Sequence, residues 1–389
     1  MKQVVTISGI RPDFIRMSHV FKALDNDPNI EHIMIHTGQH YDDLLSLIFF
    51  KELHIRKPDY NFLAGSTMDG PAGITFHILK SIHDLIQSHR IKPDLFLFLG
   101  DSNSVCCAME LKKEGYQIGH IEAGMRSYDN TMLEETNRIV CDHCSDILFV
   151  YHSNYAEKLK HEGITKNVHI VGNTIIEPTL EIIKQKGIIK PIFPYTPQSK
   201  HLVAPVYVDI HRPENFKSKA RMIQILKFCN YIKEKYVLPE IRWIMFPRTM
   251  AYLKEYGFLL KHWKIIPVPM MGYIDFLQAQ ATSKFLISDS GTAQEEAALV
   301  NCPVIVPRDF TERPESVDAG CSHLLKLVIP IENDILMPFN PNIEKAIWDK
   351  ACDFIENATP LFGSRWLYYS QYETPSQLIL KHIKEFLHV

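Results

Sequence analysis

Residues 94–122 read DLFLFLGDSNSVCCAMELKKEGYQIGHIE: an unbroken apolar run, a Gly-Asp break, a stretch with helical spacing, then a second short run ending in glutamate. An apolar run without polar alternation suits a strand buried on both faces, and the intervening stretch suits the crossover helix of a parallel pair. Strand, helix, strand in this form predicts a parallel sheet with helices on both sides.

The pattern extends outward in both directions. Strands are expected at QVVTIS (3–8), HIMIHT (32–37), DLFLFLG (94–100), QIGHIE (117–122), DILFVY (146–151) and VHIVG (168–172). Between them, DFIRMSHVFKALDND and ITFHILKSIHDLIQSHR carry apolar residues every third or fourth position. Proline and lysine then break the rhythm, and residues 186–199 are read as a linker. The alternation restarts at HLVAPV (201–206), IRWIMF (241–246), WKIIPV (263–268), KFLISD (284–289) and PVIVPR (303–308). The expected fold is therefore α/β, with two Rossmann-like domains at 1–185 and 200–365. A final segment, 366–389, holds the amphipathic SQLILKHIKEFL and is expected to return to the first domain.

Composition narrows the function. A chain of 389 residues with a formal net charge of −3 has no basic excess to draw it to nucleic acid or anionic lipid. No apolar run approaches the length of a membrane span, and the N-terminus does not read as a signal peptide. Eight scattered cysteines suit a reducing compartment, so a cytoplasmic location is expected. Cys141 and Cys144 have metal-like spacing but lack a second pair, and are read as helix packing residues.

In a parallel sheet, ligands gather at the carboxyl ends of strands, so the loops there carry the chemistry. After the first strand, Gly9 permits a tight turn and Arg11-Pro12 open a helix whose N-terminus attracts anions. After the third, Asp101 and Ser102 could each cap a helix, or Asp101 could do acid–base work. Glu122 ends the next strand; Glu134 and Glu135 open a helix carrying Arg138, where Glu134 could simply answer the helix dipole. Later come His211-Arg212-Pro213-Glu214-Asn215 and Ser288-Asp289-Ser290-Gly291-Thr292, the latter a phosphate cradle at a helix start. Glu295 or Glu296, one turn on, could accept from ribose hydroxyls. Arg308 and Arg313 lie in a further charged loop.

Taken in order, GIRPDFIRMS, TGQHYD, GDSNS, HIEAGMRSYD, EETNR, GNT, HRPENF, SDSGTAQEEA and TERPE resemble the UDP-N-acetylglucosamine 2-epimerase family over residues 4 to about 320. HTGQHYDDLLSLIFFKEL, GDSNS and SDSGT look most like its capsule and surface-polysaccharide branch, which acts on UDP-2-acetamido-2,6-dideoxy-L-hexoses. The resemblance implies two domains facing across a cleft in the GT-B manner and a UDP-sugar as partner. It implies a homodimer and no cofactor or metal.

It also assigns residues. Asp101, Glu122 and Glu134 align with the family's catalytic carboxylates and His211 with its catalytic histidine. Arg11, Arg138, Ser290, Gly291, Glu296 and Arg313 align with residues holding UDP, and Phe276 with one beside the uracil. Arg16, Gln39, Arg212, Glu214, Asn215, Arg248 and Thr292 complete the expected substrate-binding set. Asp42 and Phe246 depart from the pattern that lines an activator site in some bacterial members, which leaves no requirement for an activator. A hydrolysing relative, a GT-B glycosyltransferase and a non-catalytic sensor use the same UDP cradle. The transferase needs only one base toward its acceptor, against three carboxylates here, and a sensor has no need to keep them.

Overall fold

The computed structural model describes residues 1–38, 50–66, 70–129, 132–188, 204–236, 238, 240–327, 331–332, 335–336, 341–368 and 372–389. These divide into two compact units, Met1–Pro178 with Leu367–Val389, and Thr179–Trp366. The expected linker at 186–199 lies for the most part outside the described residues.

The first unit is built on β1 (Lys2–Ser8), β2 (Ile30–His36), β3 (Tyr60–Asn61), β4 (Leu95–Leu99), β5 (Ile118–Ile121), β6 (Ile147–Val150) and β7 (Val168–Ile170). All pair parallel, in the order β3-β2-β1-β4-β5-β6-β7. The order reverses between β1 and β4, the place where doubly wound sheets bind ligands. Every residue of β4 is buried, as a central strand covered on both faces requires. Phe96 and Phe98 pack with Val5, Ile7, Ile78 and Ile82; truncating either phenylalanine to alanine is expected to cost about 3–5 kcal/mol.

Helix Pro375–Leu387 returns to this unit, as expected. Thr374 and Gln377 form a capping box at its start, with Pro375 in the first turn. Its buried face carries Leu378, Ile379, Ile383 and Leu387. Polar contacts fix its ends: Ser376 donates to Glu177 through N at 2.8 Å and Oγ at 2.6 Å, and Lys384 pairs with Asp27 at 2.7 Å.

The second unit repeats the plan with β8 (Val206–Asp209), β9 (Ile241–Ile244), β10 (Ile266–Val268), β11 (Leu286–Ser288), β12 (Val304–Val306) and β13 (Ser322–Leu324). The order is β10-β9-β8-β11-β12-β13, all parallel, and the switch point lies between β8 and β11. Its first described strand is Val-Tyr-Val-Asp at 206–209; of the expected run 201–206, residues 201–203 lie outside the described residues, and Pro205 has no amide hydrogen for a central ladder. Trp243 is fully buried in a core with Val206, Val208, Phe228 and Ile287. Among the described residues no helix is long and apolar enough to cross a membrane.

Candidate active site

In the first unit the register sets Ile7 beside Phe98, and Leu99 beside Ile121, so the loops after β1, β4 and β5 emerge side by side. The first loop enters helix Arg11–Asn26, whose N-terminus is closed by Asp13. The Asp13 carboxylate accepts from the N–H of Gly9 at 2.8 Å and of Ile10 at 3.1 Å, and from Ser102 Oγ at 3.4 Å. Burial pushes its pKa up to about 7; the Gly9 and Ile10 amides oppose this, and Asp101 reinforces it. The Arg11 side chain and Gln39 lie outside the described residues.

The Asp101 carboxylate makes an ion pair. Ser102 occupies the cap of the short helix Asn103–Cys107, and Asp101 Oδ2 pairs with the Arg138 guanidinium. Arg138 also donates from Nη1 to Glu135 at 2.6 Å. Glu135 accepts from Ser127 N and Oγ, both at 2.9 Å, and from Tyr128 N at 2.9 Å, so it ties the 127–128 loop to the helix. Its neighbour Glu134 is half-buried in the first turn of helix Leu133–Cys144.

Glu122 follows β5 with φ at +71°, a region that costs a non-glycine residue about 1–3 kcal/mol. Gly100 stands next to it with φ +73°, and a Cβ there would come to 3.4 Å from Glu122 Oε2. Arg16 donates to that same oxygen at 2.6 Å, with both side chains buried. Asp101 and Glu122 thus each sit on an arginine, at the ends of adjacent strands.

Beneath them runs a layer that sequence reading did not assign. His120 is fully buried, with Nδ1 2.7 Å from Asp142 and Nε2 2.8 Å from the carbonyl of Gly100. Both ring nitrogens face oxygen acceptors, and although burial opposes charge, its anionic neighbours hold the pKa well above the histidine norm. Asp142 also accepts from Gly124 N at 3.1 Å and pairs with Arg126 at 2.7 Å; Arg126 in turn holds Glu162 at 2.6 Å. The only sequence signal was a histidine inside the wholly buried strand IGHI.

The second unit gathers its residues in the same way, because β8 and β11 are neighbours that both lead into an aspartate. Asp289 accepts from His211 N at 3.0 Å, Arg212 N at 3.0 Å and Asn215 Nδ2 at 2.9 Å, which folds the His-Arg-Pro-Glu-Asn loop around it. His211 Nδ1 lies 3.0 Å from Asp209, and its ring is about 34% exposed and packed against Phe246 at 5.0 Å between centroids. Burial works against the imidazolium, but Asp209 and Asp289 outweigh it and raise the pKa. Arg221, not foreseen, braces the loop: it donates to Asn215 at 2.9 Å, to Asp309 at 2.7 Å and to the carbonyl of Pro307 at 3.1 Å.

Ser290 caps helix Gly291–Leu299, its hydroxyl accepting from Ala293 N at 3.4 Å. Arg313 lies against Gly291 so closely that no Cβ fits, and pairs with Glu295 at 2.6 Å. Of the two glutamates, Glu295 is thus committed to Arg313, while Glu296 accepts from Gln280 at 2.6 Å. Burial pushes the Glu296 pKa up to about 8. Gln280 and half-buried Phe276 share a helix face at spacing i, i+4 on Tyr273–Thr282. Thr292 is half-buried on the capped helix, Glu214 pairs with buried Arg308 at 3.0 Å, and Arg248 is exposed on helix Pro247–Glu255. Each unit therefore brings its own predicted residues to one sheet end: carboxylates with arginines in the first, and a histidine with a helix N-terminus and arginine in the second.

Comparison with known proteins identifies the family. Residues 22–363 match the family described as UDP-N-acetylglucosamine 2-epimerase. The chain is 36% identical to a UDP-N-acetylglucosamine 2-epimerase of Methanococcus maripaludis, over 83% of this chain and 88% of that one. It is 34% identical to the UDP-2,3-diacetamido-2,3-dideoxy-D-glucuronate 2-epimerase of Pseudomonas aeruginosa, over 83% and 88%. The crystal structure of the Methanocaldococcus jannaschii UDP-GlcNAc 2-epimerase in complex with UDP-GlcNAc and UDP matches with a TM-score of 0.80 at 29% identity, covering 100% of both chains. The chain belongs to the UDP-N-acetylglucosamine 2-epimerase family.

Proposed function

We propose that this protein inverts C2 of a UDP-N-acetylhexosamine by eliminating UDP and adding it back. The C2 proton has no adjacent carbonyl to acidify it, so direct deprotonation is too slow, and breaking the C1–O bond in the same step opens the accessible route. A carboxylate removes the C2 proton, the C–H electron pair becomes the C1=C2 double bond, and the C1–O pair leaves with the β-phosphate of UDP. In the return step a UDP oxygen attacks C1 and C2 takes a proton from the opposite face. The route needs acid–base groups for both faces, each worth about 10²- to 10⁴-fold, and cations on the departing diphosphate.

The observation that carries this reading is the pair of strand-end carboxylates, Asp101 and Glu122, each held by a buried arginine. Glu134 joins them from the helix that supplies Arg138. In the second unit, the capped helix at Ser290-Gly291, with Arg313 against it, forms the anion cradle and Glu296 the ribose contact. His211, whose pKa Asp209 and Asp289 raise against the effect of burial, serves the developing negative charge on UDP. The substrate is UDP-GlcNAc with UDP-ManNAc, or a UDP-2-acetamido-2,6-dideoxy-L-hexose pair, made for surface polysaccharide or glycan precursors. The enzyme works as a cytoplasmic homodimer; its eight free thiols suit that compartment, and light scattering tests the dimer.

NMR of a UDP-sugar panel in D2O tests the reaction. The expected outcome is deuterium at C2 in a stable mixture of two nucleotide-linked epimers. Stoichiometric free UDP and N-acetylhexosamine would favour the hydrolysing reaction, and no C2 exchange with any substrate would remove the proposal.

A further inference from the structure

We infer that Asn137 is a positioning residue that sets where Asp101 stands relative to Glu134; the inference rests on the epimerase reading above. Asn137 is 5% exposed. Its Nδ2 donates to the main-chain carbonyl of Asp101 at 2.8 Å and reaches Asn103 Oδ1 at 3.4 Å, gripping the break after β4 on both sides of Ser102. On the other side of the amide, Cys106 Sγ donates to Oδ1 at 3.1 Å. That contact fixes the amide's orientation: a flipped amide would set its oxygen against two oxygen acceptors and its NH2 against the thiol.

The next residue, Arg138, pairs with the carboxylate of the same Asp101. Two consecutive residues of helix Leu133–Cys144 therefore hold Asp101 by its main chain and its side chain. Glu134 lies on this helix three residues before Asn137, on the same face. One rigid element carries one candidate acid–base group and clamps another, which is how a site keeps reacting groups within a fraction of an ångström. Asn137 makes its contacts as a neutral amide. A carboxylate in its place would meet the Asp101 carbonyl with an acceptor and add negative charge beside the Asp101 side chain, favouring its protonated form.

The test compares Asn137→Ala, Asn137→Asp, Cys106→Val and the double variant Asn137→Ala/Cys106→Val with the wild type, using UDP-GlcNAc turnover, C2 exchange in D2O, UDP affinity and pH–rate profiles. Asn137→Ala is expected to lower kcat about 10- to 100-fold with KM within about twofold, the loss typical of a misplaced catalytic group. Asn137→Asp should in addition move the acidic limb of the profile to higher pH. Cys106→Val, which removes the donor and adds one side-chain heavy atom, should lower kcat less and add nothing to Asn137→Ala. A folded Asn137→Ala protein with unchanged kcat overturns the inference, as does an Asn137→Asp profile whose limb does not move. Should Asn137→Ala fail to fold, wild-type kcat in Cys106→Val overturns it. A wild type without C2 exchange defeats the epimerase reading, and the inference falls with it.

Discussion

Arg16 Nη1 donates to Glu122 Oε2 at 2.6 Å, and the two side chains are 6% and 3% exposed. Arg16 comes from the helix after β1 and Glu122 from the end of β5, so the pair fastens together loops from strands that are not themselves neighbours. Removing one partner of a buried pair leaves the other charge buried with less compensation, at a cost of up to about 3–5 kcal/mol. Arg16→Met, similar in volume, should therefore lower the urea midpoint and abolish most turnover. Arg16→Lys, which keeps the charge but loses the fork, should fall between. Wild-type stability in Arg16→Met would show that Glu122 has another sufficient partner.

The carboxylates themselves give the next expectation. Asp101→Asn, Glu122→Gln and Glu134→Gln should each reduce turnover by at least about a hundredfold while UDP binding survives, since they act on the sugar. Glu135→Gln should behave differently. Glu135 accepts from Ser127, Tyr128 and Arg138, so its loss should appear first in the melting temperature. Stopped assays and calorimetry with UDP on all four variants separate the roles, and near-normal turnover in the first three would remove the assignment.

That contrast between Glu134 and Glu135 marks where the sequence stops being legible. Central strands such as Leu95–Leu99 show plainly as continuous apolar runs, because both faces are covered. Two edge pieces did not: Tyr60–Asn61 is only two residues long and Ser322–Leu324 is a mixed Ser-His-Leu, whereas the edge strands Val168–Ile170 and Ile266–Val268 fall within the expected VHIVG and WKIIPV. In the site, Gly-Asp-Ser and His-Arg-Pro-Glu-Asn mark the strand ends. Partners such as Asp142 for His120, or Arg221 for Asn215, are chosen by the sheet and leave no local signature.

Gly291 supplies a steric prediction. A Cβ at this position would run into the Arg313 guanidinium, which is itself held by Glu295 at 2.6 Å. Gly291→Val must push Arg313 off the helix start, and loss of a hydrogen bond to a charged group is worth about 1.5–3 kcal/mol. UDP affinity measured by calorimetry should fall accordingly, by about 10- to 150-fold. Ser290→Ala should cost less, because Ser290 also spends its hydroxyl capping the helix. Unchanged UDP affinity in Gly291→Val would place the diphosphate elsewhere.

Asp13 gives a pH signature independent of activity. Burial pushes its pKa from the ordinary 3.8 up to about 7 in the folded chain, against the pull of the Gly9 and Ile10 amides and with Asp101 adding to the rise. Between those two values the folded state holds a proton that the unfolded chain has released. Stability must then fall as pH rises, and the contribution is full below about pH 4 and spent above about pH 7. The slope from this one group is at most about 1.4 kcal/mol per pH unit. Asp13→Asn keeps an oxygen acceptor for Gly9 and Ile10 but cannot titrate. Glu296 and Asp289, also pushed up by burial, tilt wild type and variant alike and cancel in the difference. Thermal midpoints of both proteins from pH 4.5 to 8 should therefore converge or cross as pH rises, the wild type losing more. Parallel curves would mean that Asp13 is ionised throughout, with the Gly9 and Ile10 amides and Arg16 outweighing its burial.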